Sequence, residues 1–174
     1  MLTACAAAKP YSLVEARTHP IDTFYNVEPG VAWTAASSGN VEIWTIDGYD
    51  LENLRFFKGI PDGAPMLAGG ANEEQRPRFR VAMTPSETAE FVATSLYGSG
   101  VTPLNVRPAS FGGAPGFRFD VAYVTRDGVE RKALAIGAVM NGRLHAIVYD
   151  GTSLHHFGKY RAEAERVIES VRLK

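Results

Sequence analysis

The stretch that decides the fold runs from Phe117 to Asp150 and reads FRFDVAYVTRDGVERKALAIGAVMNGRLHAIVYD. Apolar and polar residues alternate along its first seven positions, as they do in a strand with one buried face. The Asp-Gly and Asn-Gly dipeptides at 127–128 and 141–142 favour tight hairpin turns. The pattern therefore predicts a meander of three antiparallel strands, whose central strand over 133–140 is apolar on both faces and covered on each side.

A terminal helix is predicted after the meander, over 154–172. Its apolar residues recur at helical spacing and form one continuous stripe, and charged residues occupy the opposite side. The small residues Ala133, Ala135 and Gly137 share one face of the central strand. Because they leave space for a close approach, we expect the helix to dock on that face.

A hairpin and a short helix are predicted ahead of the meander. Residues 31–35 and 41–46 are rich in apolar residues and flank a turn, which predicts two paired strands with Trp33 and Trp44 in contact. Asp50 can cap a short helix that follows them.

Another helix is predicted from Thr84 to about Tyr97. Thr84 can act as its N-cap, Pro85 suits the first helical position, and Glu87 completes a capping box. The residues around it predict one strand and two loops rich in glycine and proline, at 78–83, 61–77 and 101–116.

These elements predict a single-domain α+β protein, an antiparallel sheet with helices packed on it. Residues 1–30 are interpreted as a tether and an extended lead-in, and 31–174 as the domain. The layout, which ends in the helical sequence Val167-Ile168-Glu169-Ser170-Val171, resembles the α/β sandwich of the PsbP and Mog1 families over roughly 30–174. That resemblance implies a small accessory or assembly protein.

Charge and hydropathy argue against nucleic-acid binding and against a membrane-spanning helix. The 174 residues carry 18 basic and 19 acidic side chains with no block of like charge, so a nucleic-acid partner is not expected. A membrane-spanning helix needs about 20 consecutive apolar residues, and no run approaches that length.

Cys5 is the single cysteine, which excludes an intramolecular disulfide. Leu2-Thr3-Ala4-Cys5 resembles the lipobox of bacterial lipoproteins. The resemblance implies that Cys5 carries acyl chains, that an upstream signal peptide has been removed, and that the protein faces the periplasm from a lipid anchor, in the outer membrane. The alternative is a chance tetrapeptide near the end of a cytosolic protein.

No nucleophile elbow, zinc motif, Walker loop or dinucleotide fingerprint is present, so the sequence predicts neither catalytic residues nor a cofactor. Arg76, Arg78 and Arg80 would share one face of a strand about 7 Å apart and could bind a carboxylate or phosphate. The alternative is a solvated strand face on which charge discourages aggregation.

His155 and His156, with Asp150 nearby, are the candidates for a metal site or a general base. Adjacent residues point in different directions on a helix or a strand, so we interpret the two histidines as polar residues at a helix start.

The sequence thus predicts a lipid-anchored bacterial cell-envelope protein that acts as a non-catalytic binding or assembly module. Its expected partners are the membrane, through the lipid on Cys5, and a protein of the envelope. Two alternatives remain open. One is an envelope hydrolase or metal-dependent enzyme with a site assembled from distant residues such as Ser99, His155 and Asp150; the other is a small-ligand carrier whose two Gly/Pro loops form a mouth.

Overall fold

The computed structural model describes residues 11–69 and 73–174. Within these ranges the strands and helices are, in chain order, β1 (Ser12–Val14), β2 (His19–Pro20), β3 (Tyr25–Val27), β4 (Trp33–Ser38), β5 (Val41–Thr45), β6 (Glu52–Pro61), α1 (Pro85–Tyr97), β7 (Leu104–Phe111), β8 (Ala114–Val124), β9 (Glu130–Met140), β10 (Arg143–Thr152), α2 (His156–Glu169) and β11 (Arg172–Leu173). A short 3-10 turn at Glu73–Gln75 lies ahead of α1.

Eight of these strands form one antiparallel sheet in the order β1-β4-β5-β6-β10-β9-β8-β7, and β11-β3-β2 form a small second sheet. The α+β class predicted from the sequence is confirmed. The part of the chain that the structure describes contains no helix of the length and apolar character needed to cross a membrane.

The predicted meander is present as β8, β9 and β10, and its turns explain the pairing register. Asn141 and Gly142 both have positive φ, 51° and 71°, as the tightest hairpin turns require. The turn at 125–128 sets the other register and places Tyr123 opposite Arg131. Strand pairing therefore brings side chains of different strands together on one face of the sheet.

The large sheet is covered on both faces, and each face has its own apolar core. Leu134 and Ile136 of β9 point to the face on which α2 packs, whereas Ala133 and Ala135 point to the face of α1. The prediction that the terminal helix docks over the small residues is therefore wrong. Its close approach is at Gly151 instead, where a Cβ atom would lie 2.8 Å from the backbone nitrogen of a residue in the first turn of α2.

Three local predictions are corrected by the structure. The segment after Asp50 is the strand β6, not a helix, because it lies between β5 and β10 and alternates its side chains between the two cores. The segment 101–116 contains β7 and the start of β8, a hairpin closed at Gly112 and Gly113, which both have positive φ. The segment 78–83 is irregular and makes only an isolated bridge between Pro65 and Arg78.

The capping box of α1 and the tryptophan contact are as predicted. The backbone N–H of Glu87 donates to Thr84 Oγ1 at 3.3 Å, and the Glu87 carboxylate accepts from the Thr84 backbone N–H at 2.7 Å. The rings of Trp33 and Trp44 are buried with centroids 6.2 Å apart.

The described part of the predicted lead-in packs against the sheet. Val14 pairs with Trp33 as part of β1, and Ile21, Tyr25 and Val27 are buried in the core on the α2 side. These residues cover the end of that core and supply two of the three strands of the small sheet.

Candidate functional site

A cleft of 730 Å³ opens at one end of the large sheet, on the face covered by α1. The start of β6, the C-terminal end of α1, the turn between β8 and β9, and the end of β10 form its walls. At this end of the sheet, the pairing of the three central strands brings polar side chains together in place of apolar ones. We take the cleft as the candidate functional site.

Asp150 lies at the floor of the cleft and is 1% exposed. Its partners in the sheet are Ala133 of β9 on one side and Asn53 of β6 on the other. Tyr123 donates its hydroxyl hydrogen to Asp150 Oδ2 at 2.7 Å. Arg131, a residue that is 8% exposed, contacts Oδ1 through Nε at 2.7 Å and through Nη2 at 2.6 Å.

Arg55 approaches the same carboxylate from β6. Its Nη2 donates to the hydroxyl of Tyr97 at 3.0 Å and lies 3.4 Å from Asp150 Oδ2. The guanidinium stands over the Tyr97 ring at 5.6 Å, and the rings of Tyr97 and Tyr123 are 4.3 Å apart. The last residue of α1 and the meander are thereby joined to β6 through one polar cluster.

The electrostatics of the cluster keep its donors protonated. Burial raises the pKa of Tyr97 well above its ordinary value, and burial together with the nearby Asp150 charge raises that of Tyr123. Burial opposes the charge of Arg131, but the contact with Asp150 outweighs it and raises the pKa of that guanidinium. At neutral pH both hydroxyl groups therefore keep their hydrogens, and Arg131 keeps its positive charge.

Two polar atoms in the walls of the cleft have no hydrogen-bond partner among the described residues. They are the buried Nε of Arg55 and the buried Oδ1 of Asn53, whose amide group donates to the backbone carbonyl of Tyr49 at 3.0 Å. Buried polar atoms are normally satisfied by protein or by water, and each exception calls for an explanation. The arrangement is suited to hydrogen-bonding a polar ligand.

The structure directs the three predicted anion-binding arginines to separate acceptors. Arg76 donates to the carbonyl of Leu67 at 2.8 Å, and Arg78 to that of Gly63 at 3.0 Å. Arg80 forms an exposed ion pair with a carboxylate of the preceding loop at 3.7 Å. Because the segment is not a strand, the geometry assumed for joint binding of one anion is absent, and the site itself stays an untested prediction.

The histidine pair lies beside a second cleft of 760 Å³, next to the first. His156 Nδ1 is 2.9 Å from Thr152 Oγ1, and its Nε2 is 3.8 Å from Asp47 Oδ2. The Asp150 carboxylate is held by the arginines of the first cleft and does not join them. Across residues 11–69 and 73–174, no three side chains of the metal-ligating types lie together.

The residues of the enzyme alternative are not connected by hydrogen bonds within the described chain. Ser99 lies in the exposed turn after α1, and His155 precedes α2. The mouth proposed for a ligand carrier also changes, because one of its two loops is the hairpin of β7 and β8. Cys5 and its tetrapeptide lie outside the described residues.

Four residues of the cleft were not predicted from the sequence as functional residues: Arg55, Tyr97, Tyr123 and Arg131. A signal for two of them was present. A hairpin with its turn at 127–128 places Tyr123 opposite Arg131, on the face that Ala133 shares, so an arginine and a tyrosine at inward positions could have been noticed.

Comparison with solved structures finds proteins of similar fold. Cyanobacterial PsbP (CyanoP) from Synechocystis sp. PCC 6803 matches with a TM-score of 0.59 and 14% identity over 99% of both chains. The fold is PsbP-like. A Bacteroides thetaiotaomicron VPI-5482 protein matches with a TM-score of 0.53 and 9% identity, over 92% of this chain and 49% of that one. LpqN of Mycobacterium tuberculosis, described as involved in cell envelope biogenesis, has a TM-score of 0.42 and 10% identity over 97% and 86% of the two chains. Neither a family model nor a curated protein matches the sequence.

Proposed function

We propose that this protein is a non-catalytic binding or assembly module of the bacterial cell envelope, that it is anchored by lipid on Cys5, and that it recognises its partner through the cleft around Asp150. The observation that carries the proposal is the buried cluster of Asp150, Arg131, Arg55 and two tyrosines. It forms the floor of a cleft large enough for a ligand or a partner's side chains.

The chemistry of the cluster supports recognition rather than proton transfer. The Asp150 carboxylate accepts three close contacts, from Tyr123 and from two nitrogens of Arg131, so its lone pairs are largely committed. Both tyrosines have raised pKa values and retain their protons at neutral pH. Fixed donors that do not titrate near pH 7 can orient a ligand, whereas general acid–base catalysis needs a group with a pKa near the working pH.

The position of the amino-terminal segment supports a role near the membrane. Tyr11 stacks on Tyr49, a residue of the cleft wall, with ring centroids 5.7 Å apart. Tyr11 follows Cys5 by six positions, and six residue steps span at most about 22 Å when the chain is fully extended. A lipid on Cys5 would therefore hold the cleft close to the bilayer, where envelope partners are located.

Anchoring is tested in the native host with the complete gene. Wild-type protein should partition into detergent and incorporate a labelled fatty acid, whereas Cys5→Ser should do neither. Two or three acyl chains are enough for stable attachment, and one chain is not. Soluble wild-type protein with a free Cys5 thiol would overturn the anchoring proposal.

Recognition through the cleft is tested with a photo-reactive residue placed at Val124, an exposed position of the rim. The matched control is the same residue at Leu104, which is also exposed but lies on the edge strand β7. In envelope preparations, Val124 should give a discrete adduct that Leu104 does not give. Equal patterns from both positions would refute the cleft as the recognition site.

A further inference from the structure

Arg55 is the member of the cluster that the protein leaves incompletely bound. Its side chain is 18% exposed, and its hydrogen bonds to the described residues all leave from Nη2. The contact with Asp150 is long, 3.4 Å, and Nε is buried with no partner within residues 11–69 and 73–174. Arg131 contrasts with it, because three of its nitrogens are bound, two to Asp150 and Nη1 to the backbone carbonyl of Asp50.

The charges at the floor of the cleft do not balance. One carboxylate, Asp150, faces two guanidinium groups, and the shorter contacts belong to Arg131. One positive charge, that of Arg55, thus has only a weak partner and faces the cleft with 18% of its side chain exposed. A buried charge is costly unless it is paired and hydrogen-bonded. The charged side chains of the rim are exposed, so water and salt screen their effect on Arg55; they are Asp50, Arg126 and Asp127.

We propose that the excess charge on Arg55 binds a carboxylate ligand, an inference that rests on the proposed role of the cleft and names the chemistry of its ligand. A carboxylate carries one negative charge, which matches the excess, and its oxygens accept charge-assisted hydrogen bonds from a guanidinium. A phosphate monoester carries nearly two negative charges at pH 7 and would overcompensate.

The cleft is much larger than a carboxylate, and its rim indicates what is attached to it. Leu51, Val124 and Val129 line the opening and are exposed. A ligand with its carboxylate at Arg55 would lay the rest of its structure against these apolar side chains. The ligand is therefore an acid with an adjoining apolar group. A free aromatic acid and the carboxyl terminus of a peptide that ends in an apolar residue share this chemistry.

The experiment is a titration of the nitrogen-15-labelled protein, followed by amide and Arg Nε–H chemical shifts at constant ionic strength. The probes are benzoate and an N-acetylated tripeptide that ends in valine. Benzamide and the C-terminal amide of the same tripeptide are the neutral counterparts. We expect saturable shifts at the cleft with an acid, and binding at least about tenfold weaker for its amide.

Variants identify the binding group. Arg55→Gln should weaken the acid at least about tenfold, because it removes the charge and the planar donor edge. Asp150 keeps its contacts with Arg131 and Tyr123 in this variant, so the cluster should stay folded. Arg107→Gln, an exposed arginine of β7, is the matched control and should leave binding unchanged. If Arg55→Gln loses its folded spectrum, the comparison of acid with amide on wild-type protein decides the question by itself.

The outcomes separate the sources and the proposals. Binding of benzoate alone assigns a free acid, and binding of the tripeptide acid alone assigns a peptide terminus. Equal binding of acid and amide, or no saturable binding of either acid, overturns the carboxylate inference. The Val124 adduct without carboxylate binding would leave the recognition proposal standing and remove its ligand. Carboxylate binding without the adduct would support the carboxylate ligand and refute recognition of a partner through the cleft.

Discussion

Replacement of Asp150 by asparagine tests whether the buried cluster stabilises the fold as strongly as its geometry indicates. The substitution preserves the shape of the side chain and removes one charge. Arg131 would then be left buried opposite a neutral amide, with its two contacts to Oδ1 weakened. The asparagine amide can take either of two orientations at this position. In one of them its N–H hydrogens face the guanidinium donors, and the two sets of donors repel each other.

The expected magnitude follows from burial. The side chains of Arg131 and Asp150 are 9% and 1% exposed. Removal of one partner from a buried ion pair typically costs about 3–5 kcal/mol, because the remaining charge is uncompensated. Arg55 also loses its partner but is more exposed, so we expect the cost to lie within that range. A typical domain has only about 5–15 kcal/mol of stability in total.

The matched control is Asp120→Asn, the same substitution in another Asp–Arg pair of the same sheet. Its partner Arg107 is 3.8 Å away, and the two side chains are 32% and 47% exposed. Water screens such a pair, and we expect a loss of at most about 1 kcal/mol. Urea unfolding monitored by tryptophan fluorescence measures both. Equal losses in the two variants, with unchanged urea dependence, would refute the view that the cluster is a desolvated ion-pair network.

Three further predictions concern other parts of the fold. Gly151→Ala should lose about 1–3 kcal/mol because its Cβ would overlap the first turn of α2, whereas Gly158→Ala, with open space around it, should be neutral or stabilising; thermal unfolding compares them. Thr84→Ala should cost about 1 kcal/mol by removing the cap of α1, measured by urea unfolding. Burial acts to raise the pKa of Asp22, but the nearby His145 and two backbone N–H groups outweigh it and hold that pKa below its usual value. The stabilisation is thus present above about pH 4 and lost as pH falls through the lowered pKa, and Asp22→Asn should flatten the acid limb of stability against pH.

Local turn chemistry made the meander predictable. Asn141 and Gly142 suit backbone angles that few other residues adopt, and the strands on either side alternate or are apolar throughout. The capping box at Thr84 is local in the same way, since the donor and acceptor are three residues apart. Elements that depend on near neighbours in sequence could be placed without any tertiary information.

The strand β6 shows why other elements could not be predicted. Leu51, Leu54 and Phe57 have the spacing of a helical face. The same spacing also arises in a central strand whose side chains enter the cores on both faces of the sheet. Phe56 lies in the core on the α2 side and Phe57 in the core on the α1 side. Only pairing with β5 and β10 decides between the two structures, and those partners are distant in sequence.

The candidate site depends on the same long-range pairing. Tyr123 and Arg131 could be paired from the hairpin register alone. Arg55 reaches Asp150 only because β6 lies beside β10, a neighbour 95 residues away in sequence. When β6 is predicted as a helix, Arg55 is not placed beside Asp150, and the charge excess that characterises the cleft is not predicted either.

The amino-acid sequence by itself determined the α+β class, the meander, the two helices and the lipobox-like tetrapeptide, because periodicity, turn residues and caps act over a few residues. The tertiary structure alone decided which sheet face each helix covers, that β6 and β7 are strands, and that Arg55, Tyr97 and Asp150 share one cleft. Those outcomes follow from burial and ion pairing between segments that are far apart along the chain. Their free energy depends on which surfaces meet, and local sequence does not encode that.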